Sequence, residues 1–185
     1  MFDAWPEQRL TYLELFEQYL KINPFEADAE EMAAVAALHG ITDIDLNRHQ
    51  WLDLLISHII QPALPAHCLT FIYDFPADQA ALAKITVTSP PVAQRFELYL
   101  GRTELANGYQ ELTDATEQQQ RFDKENAVRL KRGEAMNQID RHLVAALQSG
   151  LPDCAGVALG VDRLLMAICQ VKSISDVIAF PQSRA

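Results

Sequence analysis

The stretch that most restricts the fold is RFELYL-GR-TELANGYQE, residues 95 to 111. Two runs of strand character meet at Gly101-Arg102, and glycine first in a two-residue joint favours a type II′ turn, whose twist suits antiparallel strands. The spacing predicts a hairpin of Arg95 to Leu100 against Thr103 to Glu111, and therefore an antiparallel sheet. Within its first arm, Arg95-Phe96-Glu97 reads as plain strand with Phe96 inward.

Helices are expected on either side of this hairpin. Over residues 8 to 22, Leu10, Leu13, Phe16 and Leu20 recur at helical spacing, and Asn23-Pro24 ends the run. Asp28 with Glu31 caps a second helix over 29 to 39, stopped by Gly40. A third is expected over 47 to 60, with Trp51, Leu54, Leu55, His58 and Ile59 on one face and Pro62 and Pro65 closing it. Leu69 to Tyr73 reads as a strand, and Ser89-Pro90-Pro91 as a break. Asp114 with Glu117 opens a long helix to about Arg132, a shorter one covers 139 to 148, and another runs from Asp162 to about Val171. This order describes an α+β fold.

The hydrophobic fraction of 49% and the charged fraction of 22% are those of an ordinary globular chain. No apolar run approaches the length of a membrane span, and Met1 begins no signal-peptide pattern. Cys68, Cys154 and Cys169 are odd in number and far apart, which suits reduced thiols and a cytoplasmic setting. A net charge of −10 argues against a phosphate-backbone partner and makes tRNA an unfavoured one.

Two segments carry chemistry. In DCAGVALGVDRLLM, residues 153 to 166, Gly156 and Gly160 mark places where a ligand or another backbone comes close. Arg163 can present a planar cation to a phosphate or a base, or equally pair with Asp162 or Glu134 at the surface. In the hairpin, Glu104, Asn107 and Glu111 interrupt an otherwise buried-looking strand. Glu104 and Glu111 can share Mg²⁺, can counter an amine, or can be solvated strand residues. Positions seven apart on a strand face opposite ways, so their convergence requires a bulge, expected near Asn107-Gly108. The histidines do not cluster, and no Ser-His-Asp set or Walker-type loop is present.

ELANGYQELTDA (104 to 115) and GVALGVDRLLM (156 to 166) together resemble the class II aminoacyl-tRNA synthetase core. They are most similar to the lysyl-tRNA synthetase branch, whose equivalents read close to EIGNGFSELNDA and GIGIDRLVM. The second block is similar to that family's motif 3, and SISDVIAFP resembles its ending. Thr113 and Ala158 depart from the tRNA-charging enzymes. With RFELYL and LPDC, these changes resemble the elongation factor P–(R)-β-lysine ligase family. The resemblance is close from Leu69 to Ala185. Residues 1 to 68 are similar only in layout to that family's helical connecting segment.

The fold implied is part of a class II synthetase-type antiparallel sheet flanked by helices. The activity implied is adenylation of β-lysine, or of lysine in a tRNA-charging remnant, with ATP and Mg²⁺, followed by transfer to a lysine of elongation factor P. Glu104, Leu105, Gly160 and Arg163 would meet ATP, Glu111 and Ala158 the amino acid, and Glu104 with Glu111 the metal. No protein nucleophile is implied. Nothing in residues 1 to 68 resembles motif 1 or motif 2, so the chain is expected to be the C-terminal portion of such a ligase. It is expected to be inactive alone and prone to self-association through an open sheet edge. A non-catalytic nucleotide- or protein-binding module is the contrasting expectation.

Overall fold

The computed structural model describes residues 5–181. A five-stranded sheet in the order β1-β2-β3-β4-β5 forms its centre. The strands are β1 (Glu7–Thr11), β2 (Leu69–Pro76), β3 (Val92–Leu100), β4 (Thr103–Gln110) and β5 (Ala155–Leu159). All pairings are antiparallel except β1 with β2, which is parallel. The predicted α+β sheet flanked by helices is therefore present, with one parallel edge added. Gly101 sits at φ +53° in the β3–β4 turn, where a side chain would be strained.

The first segment departs from the expected uniform helix. Residues 7–11 extend along β2, and helix α1 (Tyr12–Leu20) begins only afterwards. Thr11 sets the boundary: its hydroxyl accepts from the Glu14 N–H, and Glu14 returns a bond to the Thr11 N–H. This reciprocal box satisfies two donors that a helix start would leave open. The buried face becomes Tyr12, Leu15, Phe16 and Leu20, with Leu13 only half-buried.

Helix α2 (Ala29–Leu38) lies where expected and is capped by the Asp28 carboxylate, which accepts from the Glu31 N–H, but the Glu31 side chain does not close the expected box. Helix α3 (Arg48–Leu55) starts at an Asn47–Gln50 box, passes through a π-helical turn (Ile56–Ile60), and ends in α4 (Gln61–Ala63). The wider turn changes which side chains face inward. A 3.6-residue period takes Leu55 to Ile59, whereas one extra residue in the turn brings Ile60 to the core and leaves His58 exposed.

Helices α1 to α3 cover one face of the sheet, where Tyr12, Leu15, Phe16, Met32, Leu52 and Leu55 meet Ile72, Phe75, Ala93 and Tyr99. Tyr12 stacks on Phe16 at 4.7 Å and tilts against Phe75 at 5.0 Å. The first 68 residues therefore share one core with the sheet.

After the hairpin come α5 (Ala115–Lys131), α6 (Arg141–Gln148) and α7 (Val161–Cys169). Asp114 caps α5 through the N–H groups of Thr116 and Glu117, while the Glu117 side chain turns to Arg121 instead of closing a box. Arg121 also donates to the carbonyls of Ala81 and Ala83, tying α5 to the loop before β3. Asp153, just before β5, bonds Lys84 and the Gln110 amide, clasping that loop to the sheet. Among the described residues β5 has no outer strand partner, and Val157 (62% exposed) and Leu159 (48% exposed) beside it stand open. No described helix is long and apolar enough to cross a membrane.

Leu52 is fully buried at the centre of the helical layer, and Leu52→Ala is expected to lower unfolding free energy by about 3 kcal/mol in chemical denaturation. The hydrogen bonds from Lys84 and Gln110 hold the Asp153 carboxyl below its usual range. A depressed folded pKa stabilises the fold above the unfolded value of about 3.9 and loses that contribution as pH falls through the folded value. Denaturation across pH should accordingly show Asp153→Asn less stable than the parent at neutral pH, with the gap closing in acid.

Candidate active site

The site is built on the sheet face that carries Glu97, Tyr99, Asn107 and Tyr109. In the β3–β4 ladder Glu97 opposes Asn107 and Leu98 opposes Ala106, but Tyr99 then opposes Glu104. Leu105 is the extra residue. A one-residue bulge reverses the alternation beyond it, so Glu104 lies on the same face as Asn107 instead of the opposite one. Glu111 keeps the Asn107 parity and joins them. The bulge required by the sequence exists, at Leu105 and so two to three residues earlier than expected.

The segment containing Gly160 and Arg163 docks at this bulge. The Gly160 N–H donates to the Leu105 carbonyl at 2.8 Å, and Arg163 Nη1 donates to the Glu104 carbonyl at 3.0 Å. The Arg163 guanidinium also lies 3.8 Å from Glu104 Oε2. Its partner is thus Glu104, neither Asp162 nor Glu134. The Leu105 side chain is buried (3% exposed), so this residue can meet a ligand only through its backbone.

Glu111 is held between two neighbours. Its N–H donates to the Cys154 carbonyl at 2.9 Å, and it bridges to Ala83 on the other side. Its carboxylate lies over Gly156, where a β-carbon would collide with Glu111 Oε1. Beside it, Asn107 opposes Ala158 on β5. Gly156 and Ala158 therefore form a thin floor under Glu111 and Asn107.

Glu104 and Glu111 cannot share one ion. Seven strand residues at about 3.3 Å each, less the bulge, separate their Cα atoms by roughly 20 Å, beyond the reach of two glutamate side chains. The carboxylate that neighbours Glu104 is Glu97, diagonal to it across the ladder. Reading Arg95-Phe96-Glu97 with Phe96 inward misses this: Glu97 is buried (8% exposed), while Phe96 lies half-buried on the other face. The signal available in the letters is that Arg95, Glu97 and Tyr99 alternate, so all three share a face with a carboxylate between two donors.

Each oxygen of Glu97 has a defined partner. Oε1 accepts from Arg95 Nη2 and, at 3.3 Å, from Asn107 Nδ2; Oε2 accepts from Tyr99 Oη at 2.6 Å. Burial pushes the Glu97 carboxyl up from its ordinary range, the Tyr99 hydrogen bond and Arg95 oppose this, and the charge of Glu104 adds to the rise. Tyr99 is raised in turn by burial and by Glu97, so its hydroxyl remains a donor. Because Glu97 takes the Asn107 amide nitrogen, Asn107 Oδ1 is left buried without a partner. A buried acceptor left open costs stability unless something donates to it, and Asn107 Oδ1 is such an acceptor beside Ala158.

No group of three or more His, Cys, Asp or Glu is arranged for a metal among the described residues. Two carboxylates nevertheless suit Mg²⁺, which takes one or two from protein and completes its shell with phosphate oxygens and water. Glu97 and Glu104 have that chemistry. Cys68, Cys154 and Cys169 are free thiols.

The pattern of the tRNA synthetases class II (D, K and N) matches residues 6–184. The elongation factor P–(R)-β-lysine ligases of Salmonella paratyphi B, Salmonella heidelberg and Salmonella schwarzengrund are each 46% identical to this chain over 188 aligned positions. Those alignments take in 100% of this chain, which spans 58% of the length of these relatives. The match runs through both the helical layer and the sheet with its bulged hairpin, and the chain belongs to the class II tRNA synthetase family (D, K and N).

Proposed function

We propose that this chain forms one wall of an ATP-dependent ligase site that activates (R)-β-lysine as an adenylate and passes it to a lysine of elongation factor P. The observation that carries this reading is the single face shared by Glu97, Glu104, Asn107 and Glu111, with Arg163 bonded at the bulge. Acidic groups at one end, with Glu111 as an amine counter-charge about 13 Å along the strand from the Glu97–Asn107 pair and farther from Glu104, suit a substrate that joins a cationic amine to a triphosphate. The relatives, which are elongation factor P–(R)-β-lysine ligases, supply the choice of β-lysine and elongation factor P.

In this reading Glu111 holds the side-chain ammonium of the amino acid above Gly156. Asn107 Oδ1 accepts from its second amine, and Ala158 shapes the neighbouring floor. The amino-acid carboxylate attacks the α-phosphate, pyrophosphate leaves, and the amine of elongation factor P then displaces AMP. Mg²⁺ held by Glu97 and Glu104 would neutralise phosphate charge. Arg163 faces the nucleotide, Gly160 lets the backbone close on it, and Leu105 meets it through its main chain. Positioning and charge carry such a reaction, without a protein nucleophile.

The cations on this face, Arg95 and Arg163, are both engaged with carboxylates. An attacked α-phosphate needs a further cation, and lacking one such preorganised contact raises a barrier by about 3 kcal/mol. The 185-residue chain is therefore expected to bind nucleotide without forming adenylate. The open β5 edge and its apolar flank suit further chain or a second copy, so concentration-dependent association is expected in sedimentation.

Calorimetric titration with Mg²⁺–ATP tests the site. Weak binding that Glu104→Gln reduces about tenfold or more fits the reading, and an unchanged titration leaves only a non-catalytic module. Glu111→Gln should leave the Mg²⁺–ATP titration intact while abolishing any heat from β-lysine. Mass spectrometry of elongation factor P, incubated with this chain and the complete ligase core, reads the transfer; product on tRNA instead would overturn the choice of acceptor.

A further inference from the structure

Arg95 is fixed more firmly than an ordinary ion-pair partner. Its guanidinium lies 4.5 Å over the Phe75 ring, Nη1 donates to the Gln79 carbonyl at 3.0 Å, and Nη2 bonds Glu97 Oε1. Gln79 is itself buried (6% exposed) and anchored, since its amide donates to Asp53 Oδ1 of α3 at 3.0 Å. Phe75 packs into the helical core. The arginine thus has three neighbours of different kinds, and only one is a carboxylate.

We propose that Arg95 is a positioning residue that sets the rotamer of Glu97, and through Glu97 the amide orientation of Asn107, so that the Glu97–Glu104 pair is preset for a divalent cation. This rests on the proposed role of that pair. Without Arg95, Tyr99 holds only Oε2, and Oε1 keeps a single 3.3 Å contact from an amide that can flip. The flat guanidinium can hold the Gln79 carbonyl and the Glu97 carboxylate together while lying on Phe75. A lysine ammonium in the same place supplies equal charge but no fork and no flat stack. Charge alone and geometry therefore make different predictions.

The test is the Mn²⁺ dissociation constant of the full 185-residue chain, read by electron spin resonance with a non-hydrolysable ATP analogue present. Arg95→Lys is expected to weaken Mn²⁺ about 10-fold, in the range of changes to groups that orient metal ligands. Lysine behaving like the parent would overturn the proposal, because charge would then suffice. The double variant R95M/E97Q buries no unpaired charge, so it remains foldable, and it should bind Mn²⁺ no more weakly than E97Q alone. Further loss in the double variant would show Arg95 acting by another route and would overturn the proposal. If E97Q itself binds Mn²⁺ like the parent, Glu97 holds no metal, and the reading of the pair fails before Arg95 is reached.

Discussion

The bulge at Leu105 is the constraint on which the site depends. One unpaired residue in β4 moves Glu104 from the far face to the face of Asn107 and Glu111. It also presents the Leu105 and Glu104 carbonyls to Gly160 and Arg163. These are two consequences of one backbone event, and they join the hairpin to the strand–helix segment more than fifty residues later. A regular ladder would leave Glu104 facing away from Glu97, with no diagonal carboxylate pair.

The helical layer contributes more than burial. Its core residues hold Phe75 and Tyr99 against the sheet, and α3 anchors Gln79 through Asp53. Glu97 is enclosed by donors that this packing keeps in place. A buried ion pair such as Arg95–Glu97 is weak evidence of stability, because desolvation offsets much of the attraction. It lies beside the unpartnered Asn107 acceptor, and in the proposed site the two together hold geometry for a ligand.

Much of the fold is legible in the letters, and the misses have local causes. The hairpin, the caps at Asp28 and Asp114, and the order of helices follow from turn chemistry and periodicity. Residues 7–11 do not, because their apolar spacing suits a helix until Thr11 and Glu14 close a box that starts it later. The π turn at Ile56–Ile60 breaks the period, so His58 is exposed and Ile60 enters the core while Ile59 packs at its margin. In the site, Glu104, Asn107, Glu111, Gly160 and Arg163 are visible as residues out of keeping with a plain sheet. The bulge position is not visible, since Leu105 looks like any buried strand residue. Consequently the letters alone pair Glu104 with Glu111, and Glu97, its diagonal neighbour across the ladder, is overlooked between two flanking donors.

In the proposed site the acidic face has two separate ends, Glu97 with Glu104 for the cation and Glu111 for the amine. Carbon-13 shifts of the glutamate side-chain carboxyls during a titration with Mg²⁺ and a non-hydrolysable ATP analogue read this directly. Glu97 and Glu104 are expected to move together while Glu111 stays in place. Glu111 moving in step with Glu104, with Glu97 unchanged, would contradict it.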